Sequence, residues 1–92
     1  MKLGTFTKQP AETESYSISY KEALTAGDNV VSATARVDPV GLTISNITNN
    51  DPIVRFWASG GVDGGRHKVT ITTTTADGRI LEDEVIIKIK EY

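Results

Sequence analysis

The chain has 92 residues, a formal net charge of -2 and no cysteine, which fits one small domain and excludes a disulfide framework or a thiolate metal site. No 18-residue apolar run occurs, so no membrane-spanning helix is expected, and an acidic balance with a pI near 5.3 argues against sequence-independent binding to nucleic acid or anionic membranes. Val, Ile and Thr supply 29 residues against 11 from Ala and Leu, and β-branched side chains favour a pleated surface over a helix.

Residues 1–14 are polar and carry no apolar run that would suit a secretory signal. They read either as an irregular leader or as an edge strand built on Leu3 and Phe6, limited by Pro10, which cannot donate to a ladder. Residues 16–20 alternate strictly, with Tyr16, Ile18 and Tyr20 on one face and Ser17 and Ser19 on the other, as in a half-buried strand. The stretch 21–25 is too short for a stable helix and reads as a single turn ended by Gly27. Residues 30–37 alternate again, placing Val31, Ala33, Ala35 and Val37 together, with the small alanines allowing a facing sheet to approach. Asp38-Pro39 and Gly41 turn the chain. Residues 42–45 form a short strand, followed by a polar turn over 46–52 in which Ile47 points inward.

The strand over 53–59 has two possible faces. Burying Ile53, Arg55 and Trp57 would bury a guanidinium at high cost without a partner. The other choice puts Val54, Phe56 and Ala58 in the core and Trp57 on the outer face. Residues 60–65 form a glycine-rich, flexible loop. Residues 67–75 and 79–91 then make a hairpin around Ala76-Asp77-Gly78. A two-residue turn would set Val69 opposite Ile86 and split the apolar faces. A three-residue loop, with Gly78 in the left-handed region, sets Val69 opposite Val85, His67 opposite Ile87 and Thr73 opposite Leu81. Since a one-residue slip flips every side chain, the apolar pattern selects the second register. It leaves Asp83 opposite Ile71, a flaw that a bulge near residues 82–84 would relieve. The fold expected is all-β: a single antiparallel β-sandwich of immunoglobulin-like type with about seven short strands over residues 15–92, a small barrel being the alternative.

Chemistry is sparse. His67 is the only histidine, with no nucleophile-elbow serine beside it, so a structural or surface role is expected. Glu82, Asp83 and Glu84 read as a solvated strand face rather than a glycosidase pair, which needs a cleft between its carboxylates. Asp63-Gly64-Gly65 lacks the spaced acidic ligands of a calcium loop. The glycines of 60–65 precede a strand, so they do not cradle phosphate at a helix N-terminus. Basic residues are dispersed without an aromatic stacking platform. No catalytic residue, cofactor or metal is therefore expected. Trp57 is the side chain most suited to anchor an interface if it faces outward, the other reading being packing under the N-terminal segment or an arginine stem.

A set of motifs in fixed order carries a resemblance. They are Lys8-Gln9-Pro10, Tyr16-x-Ile18-x-Tyr20, Leu24-x-x-Gly27-Asp28-x-Val30, Ser59-Gly60-Gly61-Val62-Asp63-Gly64, Thr75-Ala76-Asp77-Gly78-Arg79, and the alternating stretch 85–90. Over residues 8–90 the chain resembles the short virion proteins of tailed phages and prophages called fiber–tail adaptors. It departs from them at His67, where an aromatic is usual, and in the asparagine-rich stretch 46–52. The resemblance implies an immunoglobulin-like, non-enzymatic structural protein of the neck or tail, made in the host cytoplasm and carried in the virion. Its partners would be other phage structural proteins or copies of itself, with no nucleic acid, membrane or small-molecule substrate. The interface candidates are Trp57, Arg55, Gly60, Gly61, Asp63 and Gly64. The competing reading is a stand-alone binding module for a carbohydrate or cell-surface ligand.

Overall fold

The computed structural model describes residues 2–91. Seven strands follow one another: β1 (Lys2–Lys8), β2 (Thr13–Ser19), β3 (Val30–Asp38), β4 (Leu42–Asn50), β5 (Ile53–Gly60), β6 (Arg66–Thr75) and β7 (Ile80–Ile89). They form two sheets, of order β1-β7-β6-β3 and β2-β5-β4, rather than one closed barrel. Period-2 burial drives this arrangement. Val54, Phe56 and Ala58 of β5 are buried, as are Val69 and Ile71 of β6 and Val85, Ile87 and Ile89 of β7, and all join one core cluster with Ile18, Tyr20, Val30 and Leu42. Fully burying such an aliphatic side chain contributes about 1.5–3 kcal/mol. The face of β5 chosen on the cost of burying Arg55 is thus the observed one.

The β6–β7 hairpin has the three-residue register, with Val69 opposite Val85, His67 opposite Ile87 and Thr73 opposite Leu81. Gly78 sits at φ 88°, in the left-handed region that a residue without Cβ enters cheaply. The ladder runs unbroken past Ile71↔Asp83, so the bulge expected near residues 82–84 is absent there. Asp83 is tolerated because the Tyr20 hydroxyl hydrogen-bonds to it, which removes the need to expel it.

Two bulges elsewhere redirect side chains. β3 shifts register between Val30 and Ser32, so Val30 is buried while Val31, expected on the inner face, is exposed. β4 continues to Asn50 through a shift between Ser45 and Thr48. The stretch 46–50, read from sequence as part of a turn, is therefore strand. Asn46 takes φ 49°, a left-handed conformation that Asn accepts more readily than most residues. The extra residue lets Ile44 and Ile47, three apart, both pack against the core.

All strand pairs are antiparallel except one. β1 lies parallel to β7 at the sheet edge, and Gln9–Glu12 carries the chain across to β2 in the other sheet. Phe6 bridges this crossing, its ring 5.1 Å from that of Tyr16, which in turn lies 5.6 Å from Phe56. The molecule is elongated, with extents of 44 × 20 × 19 Å. Strand directions gather the connections 9–12, 39–41 and 61–65 at one end and 20–29, 51–52 and 76–79 at the other.

Candidate interaction surfaces

Alternation along β5 turns Ile53, Arg55, Trp57 and Ser59 outward, since their neighbours are buried. Register then decides what surrounds them. Trp57 lies between Ser15 of β2 and Ser45 of β4, and Arg55 between Ser17 and Thr48. Thr13, Thr43 and Ser59 extend the row above, and Ser19, Ile53 and Asn50 the row below. Among these outward positions Arg55 alone is charged. Its Nε donates to Ser17 Oγ at 3.4 Å. Trp57 is half-buried, its register partners Ser15 and Ser45 carry short hydroxyl side chains, and a recess lined by Thr48, Asn50, Ile53 and Arg55 opens on the same face.

The other candidates lie at the end of β5. Gly60, at φ 80°, turns the chain out of the strand, and the loop crosses to the opposite sheet, where Gly64 N–H donates to Ile89 O and Ile89 N–H to Gly65 O. Gly61 sits at φ 96° with Ile89 so close that a Cβ would meet its side chain at 2.7 Å. Asp63 Oδ1 accepts from Glu91 N–H at 2.9 Å. The loop read as flexible is thus tied along the end of β7. The structure brings Trp57 and Arg55 together on one face, and Gly60, Gly61, Asp63 and Gly64 together at one end, but the two groups do not merge. Val62, at the loop's tip, is 76% exposed.

Lys8 holds that end, a role its place in the Lys8-Gln9-Pro10 motif did not disclose. It is 1% exposed, and its Nζ donates to Gly60 O and Gln9 O, each at 2.7 Å, and to Pro10 O at 3.4 Å. Burial pushes its pKa below the ordinary 10.5, opposed by the Glu12 and Glu14 carboxylates. Its inward orientation was visible only as a strand parity: counted from Phe6, Lys8 falls on the inward face.

The opposite end is knit by Asp28. Its Oδ1 accepts from Asn29 N–H at 2.9 Å and from Asp77 N–H at 3.0 Å, tying the β2–β3 connection to the β6–β7 turn. Desolvation would raise its pKa, but the Asp77 amide, the Thr75 hydroxyl, the Asn29 amide and the Arg79 charge together hold it below the usual carboxylate value. Inside the core, Thr73 Oγ1 donates to Tyr20 Oη at 3.1 Å, and burial with the neighbouring Asp83 carboxylate pushes the phenol up to about 12.

His67 is buried with Nδ1 2.8 Å from Pro39 O, a structural placement. Glu82 and Glu84 point outward on β7 while Asp83 points inward, so these carboxylates do not face one another across a cleft. Among the described residues no group of three or more His, Asp or Glu side chains is placed to hold a metal ion.

No curated protein matches this chain. A family match, however, runs from Lys8, whose ammonium closes the loop end, to Lys88 near the end of β7, and so takes in both candidate groups and nearly the whole two-sheet core. On that match over residues 8–88, the chain belongs to the family described as podophage GP4 fiber-tail adaptor protein gp77.

Proposed function

We propose that this protein is a non-enzymatic structural adaptor of a tailed phage particle, in its neck or tail region, that joins other phage structural proteins through the outer face of β2-β5-β4. Family membership supports the adaptor role. The observation that carries the choice of face is its composition: a half-buried Trp57 and a lone charge, Arg55, set among serines, threonines and an asparagine. Trp and Arg are the residues most enriched where truncation costs an interface most, and small hydroxyl side chains can close around them without desolvating further charges. The loop with Gly60, Gly61, Asp63 and Gly64 extends the contact at the upper end, where Val62 protrudes. The strand order β2-β5-β4 facing β1-β7-β6-β3 supports an immunoglobulin-like topology, in which the second, fifth and fourth strands form one sheet and the last, sixth and third the other. The protein would be made in the host cytoplasm and carried in the virion.

Mass spectrometry of density-purified particles tests this reading. The chain is expected in wild-type particles and lost from particles assembled with Trp57→Ala or Arg55→Glu, both variants remaining folded by circular dichroism. Absence from particles that contain the other tail proteins, or normal incorporation of both variants, would overturn it.

A further inference from the structure

The outer face of the four-stranded sheet differs sharply from the Trp57 face, because it is charged in a self-complementary pattern. At one end Arg66 and Lys88 lie directly opposite one another across the β6–β7 ladder. Like charges so placed are unfavourable in an isolated sheet. Lys68 follows one row down, between Ile86 and Asp38. The next row carries Glu84 on β7 and Arg36 on β3, both opposite Thr70, and the row after it carries Glu82 opposite Thr72. On β7 the charge therefore runs from positive to negative along the strand, and on β3 from negative Asp38 to positive Arg36.

We propose that this face binds a second copy of the same chain, the two related by a two-fold axis in the plane of the interface, perpendicular to the strands and passing between the Ile86 row and the Glu84 row. That operation lays β7 antiparallel on the partner's β7 and β3 on the partner's β3, as an isologous contact requires. Lys88 of each copy then meets the other's Glu82, Asp38 meets the other's Arg36, and Lys68 comes within diagonal reach of the other's Glu84. The charge order on β7 and the reversed order on β3 are both satisfied by one axis. The pairing also gives the Arg66–Lys88 repulsion an acidic neighbour. Ile86 and Thr70, central on this face, are already buried within their own copy, so little apolar area is gained. The face spans about 20 Å along the strands and about 15 Å across them. That is smaller than a standard stable interface of about 800 Å² per partner, so the contact is weak in dilute solution and acts when copies are held close together. This inference is independent of the adaptor reading.

Sedimentation equilibrium of the full chain across a concentration series tests it. At low ionic strength a reversible dimer is expected, weakening at least about tenfold when salt reaches about 0.5 M. Arg66→Glu with Lys88→Glu, and separately Glu82→Lys, should each weaken dimerisation by more than about a hundredfold, since like charges now meet. Mixing the two variants should regenerate a one-to-one dimer, because the charges reversed at 88 in one and at 82 in the other then face each other. The wild-type salt series needs no variant to fold. A wild-type chain that stays monomeric, a dimer indifferent to salt, or folded variants that fail to pair on mixing would each overturn the proposal.

Discussion

Lys8 is the residue whose role the sequence conceals most. A buried ammonium is expensive unless it is hydrogen-bonded, and here the backbone carbonyls of Gln9 and Pro10 in the β1–β2 crossing and of Gly60 at the end of β5 supply the partners. Lys8→Met should cost about 2–3 kcal/mol, the loss of charge-assisted bonds with carbonyls left unpaired, seen as a fall in Tm of about 10–20 °C for a domain of this size. Two titrating groups give opposite signs with pH. Tyr20 has its folded pKa raised to about 12, so its contribution is complete below pH 10 and disappears as pH rises from there toward 12. Burial raises the Tyr16 phenol as well, so in an absorbance titration of tyrosinate Tyr20→Phe should remove the last step and leave the raised Tyr16 step in place. Asp28 has its folded pKa lowered, so its contribution is present above the ordinary carboxylate value and is lost as pH falls through the lower folded one. Asp28→Asn should melt earlier at neutral pH and show a flatter decline in Tm on acidification than the wild type.

At the scale of the strand, bulges and turns decide which side chains reach the core. Asn46 carries the β4 bulge at φ 49°. A β-branched side chain resists that region, and Asn46→Val should destabilise by about 1–2 kcal/mol in denaturant unfolding, while Asn46→Gly should be neutral or better. Gly61 combines a positive φ with a steric limit, since an added Cβ would strike Ile89. Gly61→Ala should therefore cost more than Gly78→Ala, whose backbone strain is similar but whose Cβ would meet nothing within 4 Å. A thermal melt of the two variants side by side checks the order. Alternation was readable from residue types alone in β2, β5, β6 and β7. In β3 and β4 it was readable only in part, because the bulges at Val31 and Asn46 switch faces mid-strand. The three-residue spacing of Ile44 and Ile47 around an asparagine was the one signal that could have revealed the second.

For the whole molecule, the two outer faces differ in composition and stand apart. Trp57 is half-buried against neighbouring small side chains, so Trp57→Ala should lower stability by only about 1 kcal/mol, far below the roughly 3–5 kcal/mol expected of a core aromatic such as Phe56. A urea series on both variants distinguishes a surface anchor from a core residue. The contrast between the faces comes from strand order. β5 is central in its sheet and flanked by β2 and β4, whose outward positions are hydroxyl-rich. β6 and β7 are adjacent in theirs, and their outward positions hold the cations at one end and the glutamates at the other.

Local information in the sequence determined the all-β class, the buried faces of β2 and β5, the register of the last hairpin and the outward position of Trp57. Each follows from period-2 patterning and from the cost of burying a charge, which neighbouring residues alone can express. The parallel seat of β1 on β7, the clamp at Lys8, the Asp28 tie between the two turns and the charge pattern shared by β3, β6 and β7 were decided only by the tertiary structure. They join residues far apart in the chain, and a hydrogen bond or charge row of that kind exists only once hydrophobic burial has chosen which strands become neighbours.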